Sequence, residues 1–391
     1  MHFYTSVNIN YLPKARVLAK SVKKYCRDAR FSLVLSDRLP EDIKPENEPF
    51  DEILTVEQLG IPVKNLHYWI FIHTVVELCT AVKGQALVKF LEEGSQKVVY
   101  LDPDTAIFND LSELEHLLDK HDIILTPHQA SPEKTKEDIV YNEICSLMHG
   151  AYNFGFYAVR NSENGMKFAR WWRDRLTDFC YDDIPGGLFT DQKWGDLVPA
   201  MFDGVHILRD PSYNVSTWNL TNRLVTKDDE GKYLVNGIPL KFYHFSGFDS
   251  GAQERMLNQY AHGNQCLYEL RAWYIGRMRD EGQEKYGSVP SVYNFYSNGE
   301  KIGKSDRVIL RNRADLLKEF GDTNPYMTDG AKSYYKWYQN EKARFGIDFA
   351  EDDSEKAKRL ENELFRIYHS RSWKLVMFLK RIKNALGGQR S

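Results

Sequence analysis

Lys97-Val98-Val99-Tyr100-Leu101-Asp102-Pro103-Asp104-Thr105-Ala106-Ile107-Phe108 runs from a β-branched apolar block into two carboxylates one residue apart, then back into apolar sequence. A block such as Val98–Leu101 predicts a buried central strand. Two aspartates at the end of such a strand are costly unless something positive meets them. In α/β sheets, ligands gather at the carboxyl ends of the strands. Hard oxygen ligands there suit a divalent cation, and a divalent cation suits a diphosphate. The stretch therefore points to a metal-dependent enzyme acting on a nucleotide diphosphate compound. With 29 aspartates in 391 residues, roughly two Asp-x-Asp triplets arise by chance. The weight rests on the strand-end position and on Pro103, which stiffens the turn.

Outward from this strand, the first half alternates strand and helix signals. His2–Val7 predicts a strand, Leu12–Tyr25 a helix, Phe31–Leu35 a strand, and Glu52–Val56 another. Thr74–Leu91 reads as helix, Ser112–Leu118 as a short helix and Ile123–Thr126 as a strand. That alternation predicts a mostly parallel sheet with helices on both faces. No Gly-x-Gly-x-x-Gly or Walker loop is present, which removes the usual dinucleotide and P-loop sites.

Bulk properties are those of an ordinary globular chain, with 42% hydrophobic and 27% charged residues. A net charge of −3 gives no whole-chain case for nucleic-acid binding. Aromatics make up 13% of the chain; they suit sugar faces, but packing in the core is their commoner use. Five scattered cysteines without a Cys-x-x-Cys predict reduced thiols rather than a disulfide frame or zinc site. The sequence shows no signal-peptide pattern and no apolar run of transmembrane length, so a cytoplasmic protein is expected. The sequons at Asn214 and Asn219 are then expected to be accidental.

Further on, Tyr152–Val159 predicts a strand, Ser162–Phe179 a helix, and Thr190 the start of another helix with Asp191 and Gln192 in its first turn. Leu240–Phe245 predicts a strand ending in His244-Phe245-Ser246-Gly247, and Asn264–Asp280 a helix. The stretch His128–His149 reads as a charged loop able to close over a ligand, and Ser288–Asn298 as a connection. Near the end, Leu375, Phe378, Leu379, Ile382 and Leu386 form one apolar stripe flanked by Lys374, Lys380, Arg381 and Lys383. Such a helix either lies on an anionic membrane surface or docks on the domain.

Four features fall in chain order: Asn8 and Asn10 after the first strand, Asp102-Pro103-Asp104, Asn153 with Asp191-Gln192, and His244-Phe245-Ser246-Gly247. In this arrangement the chain resembles the GT-A nucleotide-sugar glycosyltransferases over roughly residues 1–250. It is similar above all to glycosyltransferase family 8 and related bacterial polysaccharide and lipopolysaccharide transferases. The resemblance implies an α/β, Rossmann-like GT-A domain over 1–250, a helical C-terminal extension over 251–350 on the acceptor side, and a basic amphipathic tail over 351–391. It implies Asp102, Asp104 and His244 as ligands of Mn²⁺ or Mg²⁺. It implies Asn8, Asn10, Lys83, Asp102 and Gly247 as donor-binding residues, with Lys83 near a helix start. Asn153, Asp191 and Gln192 fall at the sugar and catalytic positions; Asp191 could equally cap its own helix. The implied reaction moves a hexose from a UDP-sugar, with retention, onto a bacterial surface glycan or lipid-linked precursor, at the inner face of the cell membrane. The chain departs from family 8 after Gly247: Phe248-Asp249-Ser250-Gly251-Ala252 stands where that family has a Lys-Pro clamp on the diphosphate, so either Lys83 or Arg255 substitutes or the chain belongs to a sister family. The rival expectations are a nucleotidyltransferase or sugar-nucleotide hydrolase, and a non-catalytic carbohydrate-binding protein. The first normally carries a Gly-rich loop after its first strand, unlike Asn8-Ile9-Asn10-Tyr11-Leu12-Pro13.

Overall fold

The computed structural model describes residues 1–248, 251–261 and 263–345. These fall into two compact units, one running from Met1 to Tyr293 and the other beginning at Asn294. The break lies inside the segment read from sequence as a connection. The amphipathic stripe from Leu375 to Leu386 and the pair Asp249-Ser250 lie outside the described residues.

The first unit is built on a seven-stranded sheet. Its strands are β1 (His2–Val7), β2 (Arg30–Leu35), β3 (Glu52–Thr55), β4 (Lys97–Leu101), β6 (Ile123–Pro127), β7 (Tyr152–Arg160) and the short Val205–Ile207; β5 (Thr105–Ile107) lies outside this sheet. The spatial order is Val205–Ile207, β6, β7, β4, β1, β2, β3. All neighbours are parallel except β7, which runs antiparallel to both β4 and β6. The sheet is therefore mixed but mostly parallel, as expected. Strands β1, β4 and β7 are buried on both faces, which explains why they read as continuous apolar runs rather than alternating ones.

Helix α1 (Leu12–Tyr25) covers one face with Leu12, Ala15, Leu18, Ala19 and Val22, all packed into the main core. On the sheet's other face, the helix Val75–Glu92 starts from a capping box between Thr74 and Glu77. It crosses the helix Glu163–Phe179 so closely at Gly84 that a Cβ there would sit 2.7 Å from the Cα of Arg173. Gly84 is thus a packing residue in the middle of a helix. Lys83 is consequently in mid-helix too, not near a helix start.

Two other expectations change. His128–His149 is largely helical from Lys136 onward, including a π-helical turn at Ile139–Ile144, a form whose spacing no 3.6-residue pattern reveals. Thr190 starts no helix: it sits in a turn at φ 45°, and the next helical turn, Lys193–Leu197, has Gln192 at its N-cap. Asp191 therefore caps nothing.

After the sheet, strand Phe242–His244 pairs antiparallel with β5. Helices Ala252–Tyr260 and Gln265–Asp280 then close a second core that contains Val215, Leu220, Phe245, Leu257, Leu270 and Tyr274. In the second unit, Asp306 accepts from Tyr296 Oη at 2.6 Å, and its backbone carbonyl accepts from Tyr334 Oη at 2.6 Å. Phe320, Tyr334 and Trp337 pack beside them.

Candidate metal centre

The turn that follows β4 carries Asp102 and Asp104, and β5 begins immediately after it. The amide of Asp102 donates to Gly155 O on β7 at 2.8 Å, so the neighbouring strand fixes the start of the turn. The pairing Thr105↔His244 then places the end of strand Phe242–His244 beside Asp104. His244 Nε2 lies 3.0 Å from Asp104 Oδ1 and 3.8 Å from Asp102 Oδ2. One donor atom from each of Asp102, Asp104 and His244 falls within 4.8 Å of the others. Donors sharing one small divalent ion at about 2.1–2.3 Å lie no more than roughly 4.6 Å apart. The three atoms are thus nearly at coordination distance, and two carboxylates with one imidazole suit a divalent metal ion in chemical type.

The tautomer of His244 follows from its surroundings. Asn214, held at φ 51°, donates its side-chain amide to Thr126 Oγ1 at 2.9 Å and to Asn153 Oδ1 at 3.0 Å. Both amide hydrogens are spent, so Asn214 Oδ1 is the atom that faces His244 Nδ1 at 3.2 Å. Nδ1 therefore carries a hydrogen and Nε2 faces the carboxylates, the orientation a metal ligand needs. Burial pushes the imidazole pKa down, but Asp104 and Asp102 outweigh it and hold it above the usual value. Burial likewise pushes Asp104 up, and His244 more than reverses it, leaving the carboxylate below the ordinary range. Gly155 forms the floor: a Cβ there would lie 2.5 Å from His244 Cε1, 2.6 Å from Asp102 Oδ2 and 2.7 Å from Asn153 Oδ1.

Beside the triad sits Lys83, 3% exposed. Its ammonium is 2.9 Å from Asp191 Oδ2, 3.2 Å from Asp102 Oδ1 and 3.3 Å from Phe154 O, and stands 4.2 Å from the Tyr100 ring centroid. Burial opposes its charge, yet the two aspartates keep it protonated well above the ordinary lysine value. Asp191 is pushed up by burial and by Asp102 despite Lys83. Asn153 and Gln192 touch one another: Asn153 Nδ2 donates to Gln192 Oε1 at 3.4 Å, and Gln192 Nε2 donates to His149 O at 3.0 Å.

The structure thus brings Asp102, Asp104, His244, Lys83, Asp191, Asn153 and Gln192 into one connected cluster. Asn8 and Asn10 lie just beyond β1, whose carboxyl end is parallel and adjacent to that of β4. Gly247 takes φ 74° and accepts from Gln253 N at 3.0 Å. Arg255 is exposed on the helix that follows. Sequence reasoning missed three residues. Asn214 was read only as a sequon, Gly155 only as part of a strand, and Lys14 only as part of a helix. Lys14 is 1% exposed, 3.6 Å over the Tyr11 ring, and its charge helps keep Asp104 ionised. Nothing local in the sequence announces that Lys14 is buried.

No family model matches the chain. Among curated proteins it is similar to Uncharacterized protein YfnD of Bacillus subtilis (strain 168), 24% identical over 298 residues that cover 75% of this chain and 88% of that one. It is also similar to Uncharacterized protein YfnF of the same organism, 28% identical over 181 residues, 44% of this chain and 57% of that one. Among solved structures, the galactosyltransferase LgtC in complex with donor and acceptor sugar analogs is 16% identical, with 67% of this chain and 95% of that chain covered at a TM-score of 0.38. The glycosyltransferase GlyE of Streptococcus pneumoniae TIGR4 is 15% identical, with 75% and 66% covered at 0.38. Mouse xyloside xylosyltransferase 1 is 12% identical, with 63% and 97% covered at 0.39. At such scores the likeness is loose.

Proposed function

We propose that this chain is a metal-dependent GT-A glycosyltransferase that takes its sugar from a nucleoside diphosphate, with a uracil nucleotide as the expected donor class. The observation that carries the reading is the triad Asp102, Asp104 and His244 at the carboxyl edge of the sheet, with the tautomer of His244 fixed by Asn214. A divalent cation held by these three residues supplies neutralisation of the charge that builds on the departing diphosphate.

The remaining roles belong to the chain itself. Asn8 and Asn10 leave the same sheet edge and are assigned to the base and ribose. Lys83 is too committed to Asp102 and Asp191 to reach far into the site, so its role is to hold both carboxylates in place. Asp191, paired with Lys83, is a hydrogen-bond acceptor for sugar hydroxyls rather than a nucleophile. Asn153 and Gln192 present amides, which orient a sugar without attacking it. With amides where a displacement from behind would need a carboxylate, a front-face reaction with retention fits, the leaving phosphate oxygen taking the acceptor's proton. A glycan or lipid-linked saccharide is the proposed acceptor, at the inner face of a cell membrane. Among the described residues, no helix is long and apolar enough to cross a membrane.

The test is a thermal-shift panel of nucleoside diphosphates and diphospho-sugars, with and without Mn²⁺, on the wild type and Asp104→Ala. A Mn²⁺-dependent shift with one nucleotide class, absent in the variant, is expected. No shift with any nucleotide would remove the donor-site reading. Release of pyrophosphate rather than nucleoside diphosphate on turnover would favour a nucleotidyltransferase, and an inverted anomer in the product NMR would remove retention.

A further inference from the structure

One groove in the first unit lies apart from the triad. It has a volume of about 790 Å³ and is lined by Arg223, Tyr260, Lys134, Asn222, Asn236 and Asn264, among others. That is the size of a small-molecule site. Two of its lining side chains are more than nine-tenths buried and under-used. Arg223, 6% exposed, makes no ion pair among the described residues. Its Nη1 donates to Tyr213 O at 2.6 Å, and among the described residues its remaining N–H groups form no other hydrogen bond. Tyr260, also 6% exposed, has a hydroxyl with no hydrogen-bond partner among the described residues.

Burial pulls the Arg223 guanidinium down to about 10, and Asp210 is the carboxylate that acts against this. Asp210 Oδ1 is itself engaged by Ser212 N at 2.8 Å and Ser212 Oγ at 2.6 Å. The acids near Tyr260 keep their negative charge, and each is fixed in place by neutral donors. Glu133 accepts from Asn142 and Thr221, Asp138 from Thr135, and Glu137 from Gln259. Lys227 on the wall is paired with Glu269. Asn236 and Asn264 brace the walls through Asn222 O and Val225 O. Against these acids stand the desolvated Arg223 guanidinium, which has N–H groups to spare, and the exposed Lys134, with the unpartnered Tyr260 hydroxyl buried beside them. A desolvated guanidinium that forms only one hydrogen bond is costly, and an arriving carboxylate or phosphate relieves that cost with charge-assisted hydrogen bonds.

The groove also borders the candidate site. Its wall includes Leu220–Asn222, the end of the helical turn Thr217–Asn222. That turn carries Trp218, whose ring meets the His244 imidazole edge-on at 5.2 Å. We infer that this groove is an anion-binding subsite for a carboxylate- or phosphate-bearing saccharide, gripped by Arg223, Tyr260 and Lys134. That this saccharide is the acceptor rests on the sugar-transfer reading; the binding site itself does not.

The test is saturation-transfer NMR on the metal-free full-length protein with glucuronic acid, glucose 6-phosphate and glucose at millimolar concentration. One or both charged sugars give a signal about ten-fold stronger than glucose, the scale of a hydrogen bond to a charged group. Which of them does so tells a carboxylate ligand from a phosphate ligand. Arg223→Gln and Lys134→Glu each weaken the signal, while Asp104→Ala keeps it. Lys134 is exposed, so its variant stays informative even if Arg223→Gln unfolds. Equal signals from glucose and the charged sugars would overturn the inference, as would binding unchanged by Lys134→Glu and Arg223→Gln. Loss of signal in Asp104→Ala alone would move the sugars to the triad and also overturn it. Should Mn²⁺ fail to bind the wild type while the charged sugars still do, the transferase reading falls and this subsite stands.

Discussion

Replacing Lys83 with methionine keeps most of its buried stem and removes only the charge. The ammonium stands 2.9 Å from Asp191 and 3.2 Å from Asp102, at 3% exposure. Each attraction is about 5 kcal/mol at an effective dielectric of about 20, before the opposing cost of desolvating all three charges. Breaking such a buried cluster by deleting one partner costs about 3–5 kcal/mol, because the carboxylates are left uncompensated. The loss depends on pH in a definite direction. Burial and Asp102 already raise Asp191 with Lys83 present, so without it the carboxyl takes up a proton at still higher pH. A group raised on folding contributes stability at low pH that disappears as pH rises through its folded pKa. The deficit of Lys83→Met relative to wild type is therefore largest at pH 8 and smaller at pH 5. Urea unfolding of both proteins at the two pH values measures it. A deficit below about 1 kcal/mol, the value of an exposed ion pair, or one identical at both pH values, would refute the account of Lys83 as the counter-charge of buried Asp191 and half-buried Asp102.

Three further outcomes follow from the same geometry. Gly155→Ala puts a methyl 2.5 Å from His244 Cε1, so it costs about 1–3 kcal/mol of stability and weakens Mn²⁺ binding disproportionately, read by calorimetric titration beside a melting curve. Asn214→Ala frees the His244 ring to turn and loses about 10–100-fold in Mn²⁺ affinity, as loss of a residue that orients a ligand does; unchanged affinity would mean Asn214 does not set the ring. His2 is 4% exposed, and burial, with the Arg30 charge, lowers it to about 4. The unfolded chain therefore takes up that proton first, and stability present above pH 6.5 falls as pH drops toward 4, by at most about 3 kcal/mol; His2→Gln flattens this slope in urea titrations.

Much of the first unit was legible because it is assembled from two-sided buried strands and one-sided helices. Helix α1 occupies Leu12–Tyr25 as the pattern indicates, and β4 and β7 fall within a residue of their apolar runs. The acidic pair was legible because a charged turn after a buried strand has few structural explanations. What stayed hidden depends on contacts between distant segments. Nothing local to Asn214 announces that its two amide hydrogens are consumed by Thr126 and Asn153. Gly155 looks like any strand glycine until the His244 ring is laid over it. Asp191 resembled an N-cap residue, but the turn at Thr190 ends the local pattern and a long-range ion pair decides its role. The helix read over Thr74–Leu91 already puts Lys83 in its middle, while the long-range pairing of Lys83 with Asp191 stayed hidden.

The clasp between β5 and strand Phe242–His244 has a consequence for how the protein is made. Asp102 and Asp104 leave the ribosome long before His244, and the intervening chain must fold and return before the third ligand arrives. A nascent chain released short of that strand has two acids but no triad, and little hold on a divalent ion. Once the strand docks, any ion bound to the triad favours the docked form by mass action. Metal would then act as a latch on the last-joined strand, and protease resistance around residues 240–248 would rise with Mn²⁺ concentration while that of the sheet's far edge at β3 stayed level.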